Sequence, residues 1–456
     1  MENKSKNMTV VGAGLVGSLW AVYLAKAGFN VNVFERRSDM RLNQSAAGKS
    51  INLALSFRGW KALDDIGIGD SIREISLPML GRTMHHLDGS TTYQPYGNFD
   101  QAIYSVSRAA LNAKLMDIAE KTYFANFHFD MECMKVDAEQ GVTHFVNKKS
   151  NLKLCKQSDV VFAADGAFSA ARYNSMQKLD MFDYSQQYIQ DGYREILLPA
   201  NPNGSYKLTK DSLHIWPRGR FMLIALPNFD GSFTCTLFMP FKNHTHCFEN
   251  LKSKKQVNNF FKEVFPDFFE LMPQVAEAWN EHPLSSLALI RCFPWVNKNL
   301  VLLGDAAHAT VPFFGQGMNA GFEDCSVLWE QFVDNQYDWN KAFERYQLKR
   351  KPNTDAMQDL SLLNYVVMRD KVADNDFLLL QKVERRINFL YPQHYFPLYA
   401  MVSFTNIPYK TALVKGKEQE ELIKKCIIAH QITHDSSLED IDNAIHVLVE
   451  NGLIHS

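Results

Sequence analysis

Three glycines and one carboxylate carry the first chemistry in this chain. Residues 9–37 read TVVGAGLVGSLWAVYLAKAGFNVNVFERR. Gly12 suits a tight turn, Gly14 lets the main chain approach a pyrophosphate, and Gly17 lets a helix pack closely on a strand. The helix start offers free N–H groups and the positive end of a dipole to phosphates. Glu35 follows the second strand, where a carboxylate can accept both hydroxyls of an adenosine ribose. The pattern predicts an ADP-containing ligand. It does not separate NAD from FAD, although Glu35 disfavours a 2′-phosphate at this site.

Three further segments carry polar groups at turns. Val301-Leu302-Leu303-Gly304-Asp305 predicts a buried strand that delivers Asp305 at its carboxyl end, where α/β sheets hold ligands. There the carboxylate can accept a ribityl hydroxyl, or simply cap a helix. Gly315-Gln316-Gly317-Met318-Asn319 opens a helix whose N–H groups can face a carbonyl or a pyrophosphate. Ala164-Asp165-Gly166 alone is a turn before an N-capped helix. Arg108 alone is either a solvated arginine or a phosphate contact. His244, His246 and Cys247 cluster without a second half-site and read as a loop, so no metal is expected.

These residues need a frame to hold them. At 456 residues the chain calls for two or three domains. Its net charge of −2 gives no reason to expect nucleic acid or a charged membrane surface as partner. Seven scattered cysteines without a CxxC suit a reducing compartment. No targeting peptide and no apolar run of membrane-spanning length is visible, so no membrane anchor is expected. The fold expected is α/β. A Rossmann-like dinucleotide domain takes residues 1–180 and 296–335. A mainly antiparallel substrate sheet is inserted at 181–295 and receives part of 60–100. A helical region fills 336–456. Helix is expected over 110–123, and strands over 127–129, 143–146, 159–163, 192–198, 212–216, 220–226 and 232–238.

Taken together, the GxGxxG, Arg108, Asp-Gly and Gly-Asp segments resemble the FAD-dependent aromatic hydroxylases, in matching order over the first 330 or so residues. The resemblance turns the dinucleotide into tightly bound FAD and implies NADPH as a transient co-substrate. It assigns cofactor contacts to Gly12, Ala13, Gly14, Leu15, Val16, Gly17, Phe34, Glu35, Arg36, Arg37, Ala54, Arg108, Cys133, Asp165, Asp305, Gly317, Met318 and Asn319. More specific strings are SINLALS at 50–56, LHIWPR at 213–218, FTCTLF at 233–238, VPFFGQGMN at 311–319, NYVVM at 364–368 and PLYAMVSF at 397–404. These look like the kynurenine-hydroxylating branch of the family.

That branch implies L-kynurenine as substrate, with NADPH and O2, in tryptophan degradation. It carries substrate contacts onto Arg82, Tyr96, Asn364 and Tyr399, with Phe238, Pro312, Phe313 and Met368 lining the apolar part. Arg82 has the fork that matches a carboxylate. Without the family each of the first four has an ordinary alternative, from surface ion pair to core residue. No catalytic acid or base is assigned, because the substrate's aniline nitrogen already activates the ring. Eukaryotic members carry a C-terminal membrane anchor, whereas the tail here is polar. A soluble cytoplasmic monomer or homodimer is therefore expected. The rival readings are a hydroxylase of another aromatic acid and a flavin-fold interaction protein without activity.

Overall fold

The computed structural model describes residues 6–42, 52–96, 101–367 and 374–450. A six-stranded sheet runs in the order Val296–Asn297, Leu300–Leu302, Val160–Ala163, Asn7–Val11, Asn30–Phe34, Asn126–His128. All its neighbours are parallel except the first pair. The central strands are buried on both faces, which is why they read as apolar runs without alternation. Helix Leu15–Lys26 follows the first strand and is buried along most of its length. Its Trp20 sits edge-on to Phe162 of the sheet and to Trp339. The glycine turn, Asp165 and Asp305 thus gather at the carboxyl ends of adjacent parallel strands.

A seven-stranded sheet lies beside it, ordered Ser285–Phe293, Asp183–Leu198, Phe233–Pro240, Phe221–Pro227, Ser212–Arg218, Gly81–His85, Thr91–Pro95. It is antiparallel apart from the pairing of 212–215 with 81–84. Alternation divides its faces. Ile196, Leu198, Leu223, Cys235 and Leu237 pack beneath helices Lys254–Val264 and Pro266–Leu271. These helices depart from the mainly antiparallel expectation for this stretch. Ser253 and Gln256 form a capping box, and Val257, Phe260, Phe261 and Val264 make a buried stripe at helical spacing. The opposite face carries Arg82, Met222, Ile224, Thr236, Phe238, Tyr193 and Glu195, as the strand register requires.

Two small three-stranded sheets complete the frame, and strands Met131–Asp137 and Lys153–Gln157 in one of them were not expected. The helix expected to begin at Arg108 and to run on over 110–123 does start at Arg108, on a Ser107 cap, and continues through a wider turn to Thr122. Beyond residue 338 the described residues are mostly helical, led by the 28-residue helix Trp339–Val366. Helices Leu398–Ser403 and Tyr409–Ala429 pack back against it through Met401, Tyr409, Met357 and Leu360. All seven cysteines are free thiols. Among the described residues no helix is long and apolar enough to cross a membrane.

Candidate active site

The glycine turn has the shape its sequence demands. Gly12 adopts φ +96°, and a Cβ there would lie 2.6 Å from the Ala164 carbonyl. A Cβ on Gly17 would lie 1.9 Å from the Gly12 carbonyl oxygen. Gly14 is the opposite case: no atom lies within 4 Å of its Cβ position. This open space stands before a helix N-terminus that no side chain caps. Glu35 ties the turn together by accepting from Ala13 N at 3.0 Å and from Arg37 Nε at 2.8 Å. Burial alone would raise its pKa, but the bonds from Arg37 and Ala13 prevail and hold it below the usual carboxylate range. Phe34 stacks between His128 and Phe145. Arg36 is exposed beside it. The Cys133 thiol is buried in the core and pushed up by burial, so no thiolate is available there.

Asp165 accepts from Ala171 N through Oδ2, while its Oδ1 is buried with no partner. Burial raises its pKa, against bonds from Ser169 and Ala171. Asp305 is exposed at the first position of a short helix after Gly304. Helix Gly317–Asp334 also starts without a side-chain cap, the Oε1 of its N-cap residue Gln316 accepting instead from the Tyr409 hydroxyl. Asn319 accepts from Ser56 N at 2.9 Å and donates to Ala54 and Gly315 carbonyls at 2.9 and 3.0 Å. Arg108 is exposed at the start of its helix. Open space over Gly14, two uncapped helix starts and the orphaned Asp165 oxygen all suit a flavin dinucleotide.

The expected substrate residues come from six separate segments. Arg82 lies with its guanidinium carbon 4.0 Å from the Tyr399 ring centre and 5.2 Å from that of Tyr96. Its Nε is buried without an acceptor. Among the described residues no carboxylate lies within ion-pair distance of it. Burial would lower its pKa, but the phenols of Tyr399 and Tyr96 outweigh that and keep it charged. Burial and the Tyr399 phenol push the Tyr96 hydroxyl well above its usual range, so it stays a neutral donor. The two rings stack at 5.5 Å. Asn364 donates to the Phe313 carbonyl at 2.5 Å.

Phe313 continues the chain of rings, 5.3 Å from Phe238 and 4.8 Å from Tyr365, and Phe314 stacks on Tyr399. Met222, Phe238, Phe313 and Tyr365 line a small cavity. Pro312 opens the short helical turn that carries Phe313. The structure therefore brings together seven of the eight expected substrate residues. The eighth, Met368, lies outside the described residues, as do residues 43–51 and Gly97.

Sequence reading missed Tyr365 and Glu195. Tyr365 sits inside the NYVVM string next to Asn364, so its signal was present. Glu195 shares a sheet face with Tyr193 and Phe238. Burial pushes its carboxyl up to about 7, opposed by Arg108, and His282 Nδ1 lies 3.5 Å away. Also missed was a buried ionic chain. Asp324 accepts from Gly304 N, His308 and Arg350; Arg350 also pairs with Glu323, which pairs with Arg58. Among the described residues no group of His, Cys, Asp and Glu could hold a metal.

Comparison with known proteins agrees with this geometry. Residues 6–361 match the FAD binding domain family model. A kynurenine 3-monooxygenase of Flavobacterium johnsoniae is 44% identical over 98% of this chain and 99% of the relative. Those of Dictyostelium discoideum and Sus scrofa are 40% and 41% identical over 96% and 92% of the chain, and 96% and 88% of the relative. Among solved structures, Klebsiella pneumoniae HpxO complexed with FAD matches with a TM-score of 0.66 at 18% identity, over 85% of this chain and 98% of that one. A 2-methyl-3-hydroxypyridine-5-carboxylic acid oxygenase matches with a TM-score of 0.65 at 18% identity, over 82% and 95%. These two share the fold. The full-length relatives give more, and the chain belongs to the kynurenine 3-monooxygenase family of FAD-dependent flavoprotein monooxygenases.

Proposed function

We propose that this chain hydroxylates L-kynurenine at the ring carbon beside the amino group. The balance is kynurenine, NADPH, a proton and O2 giving 3-hydroxykynurenine, NADP+ and water. The observation that carries the substrate is Arg82, a charged guanidinium beside two stacked tyrosine rings with no carboxylate partner among the described residues. A fork so placed matches the carboxylate of an amino acid. Tyr96 adds a neutral donor, Tyr399 a second hydroxyl, and Asn364 an amide beside Phe313. Phe238, Pro312, Phe313 and Tyr365 offer an apolar wall for the aromatic ring.

FAD would be held by the Gly12–Gly17 turn, Glu35, Arg108, Asp165, Asp305 and the 317–319 helix start. When bound it supplies the redox chemistry that links NADPH oxidation to O2. The chain's own residues bind, orient and exclude water. Arg82 fixes one end of the substrate while the aromatic wall sets the direction of its ring. The substrate amino group activates the ring, so the residues need not remove a phenolic proton. The reading carries with it a soluble cytoplasmic enzyme, monomer or homodimer. The test is incubation with L-kynurenine, NADPH and O2, with the product identified by mass. One hydroxylated product per NADPH supports the reading. Peroxide alone would make kynurenine an effector and not the substrate.

A further inference from the structure

The helices after residue 397 pack onto the flavin-facing turns, and one hydrogen bond joins the two directly. The Tyr409 hydroxyl donates to Gln316 Oε1 at 2.9 Å, and both residues are buried. Gln316 immediately precedes helix Gly317–Asp334, and its carbonyl accepts the Ala320 N–H. It therefore sets where the uncapped helix start points. The N–H groups of Gly317 and Met318 depend on that aim. Tyr409 is itself fixed. The Arg58 guanidinium lies 4.0 Å from its ring centre. Arg58 also donates to the Val402 and Ile407 carbonyls, on either side of the corner leading into the Tyr409 helix.

From Arg58 the contacts continue through Glu323 at 3.0 Å, Arg350 at 2.7 Å and Asp324 at 2.7 Å to the Gly304 N–H at 3.0 Å. Both flavin-facing turns, at 304–305 and 315–317, are thus tied to one buried set of contacts that ends on the C-terminal helices. The same corner follows helix Leu398–Ser403, which carries Tyr399 to Arg82.

We propose that Tyr409 is a positioning residue for the flavin: through Gln316 it sets the aim of the Gly317 helix start, and so makes the C-terminal region part of the cofactor site. The inference rests on the assignment of FAD to the 315–319 turn. Gln316 is buried, so losing the Tyr409 hydroxyl leaves its oxygen without a donor, and this costs more than losing both partners together.

The test is Tyr409→Phe, which keeps the ring beneath Arg58 and deletes only the hydroxyl. Apoprotein is titrated with FAD by flavin fluorescence, and the ratio of hydroxylated product to NADPH oxidised is measured on the reloaded enzyme. FAD dissociation should rise about fivefold, with more NADPH consumed per product. Gln316→Leu should do the same, and the double variant should be no worse than the poorer single one. Wild-type FAD affinity and coupling in Tyr409→Phe would overturn the inference, as would strictly additive effects or a change confined to apoprotein melting. If Tyr409→Phe fails to fold, Gln316→Leu alone gives the same comparison. Wild-type apoprotein that takes up no FAD would instead sink the assignment on which the inference rests.

Discussion

Arg82 offers the sharpest perturbation, because among the described residues its charge faces two phenols and no carboxylate. Replacing it with Met removes a guanidinium that lies 5.2 and 4.0 Å from the stacked rings of Tyr96 and Tyr399. With substrate bound, the variant would leave a carboxylate in the pocket without a counter-charge. Breaking a desolvated pair from one side costs about 3–5 kcal/mol. That converts to roughly 10²–10³-fold in KM at 1.4 kcal/mol per tenfold. Arg82→Lys keeps the charge but loses the two-pronged geometry, so a smaller rise of about 10-fold is expected. Without substrate the effect should be small: the Tyr96 and Tyr399 phenols offset the burial of the charge, so Arg82→Met should melt close to the wild-type temperature. The assay is substrate-dependent NADPH oxidation with product quantified by mass, beside thermal melting and FAD content of each variant. An unchanged KM refutes the carboxylate role. A sharp loss of melting temperature would mean that Arg82 serves the fold instead.

Other sites give further expectations. Gly14→Ala meets no protein atom within 4 Å, so apoprotein melting should barely move while FAD affinity falls about tenfold or more as the methyl fills the phosphate approach. Gly17→Ala places a methyl 1.9 Å from the Gly12 carbonyl oxygen and should lower apoprotein stability as well as FAD uptake. Burial pushes His214 down to about 4, opposed by its bond to Thr209. A neutral buried histidine stabilises above about pH 6.5, and that stability is lost as pH falls through 4, with about 2 kcal/mol gone at pH 5. The gap in urea midpoint between pH 7 and pH 5 should therefore shrink in His214→Asn; an unchanged gap refutes the assignment. Asp324→Asn removes the carboxylate that accepts from His308, Arg350 and Gly304 N. It should cost about 3 kcal/mol, read as a lower melting temperature and faster FAD release.

What the sequence made legible follows how local each feature is. The glycine turn spans six residues; Gly12 and Gly17 answer to contacts within the same strand–helix unit or the adjacent Ala164, and Gly14 to the open space before the helix. Such a motif carries its reason on its face. Strand Lys153–Gln157 is mostly exposed, so burial left little pattern in its sequence. Helix Lys254–Val264 did leave a pattern, in its capping box and its Phe260–Phe261 stripe. The alternating strands on either side drew the expectation toward sheet. The substrate residues were reached only through family strings. Arg82 and Tyr399 are more than three hundred positions apart in sequence, yet pack within 4.0 Å. No period or spacing encodes that meeting; it depends on Tyr399 packing against the cluster of Met79, Tyr96, Ile103 and Leu226.

The same logic explains why the ionic chain through Asp324 was invisible. Read singly, Arg58, Glu323, Asp324 and Arg350 are charges on helices, the commonest solvated positions in a soluble protein. In the fold they are inside. Arg58 and Arg350 rank among the largest fully buried side chains, and Asp324 is wholly inaccessible. Burial would push the Asp324 carboxyl up, yet His308 and Arg350 pull it below its usual range. Hydrophobic residues of similar size would fill this space at no greater cost to stability. They would not supply the directed bonds that fix Gly304 N or hold the corner before Tyr409. A network of this kind is best understood as geometry. It fixes the 304–305 and 315–317 turns and the helix bearing Tyr399 relative to one another, so the proposed cofactor and substrate sites would share one frame.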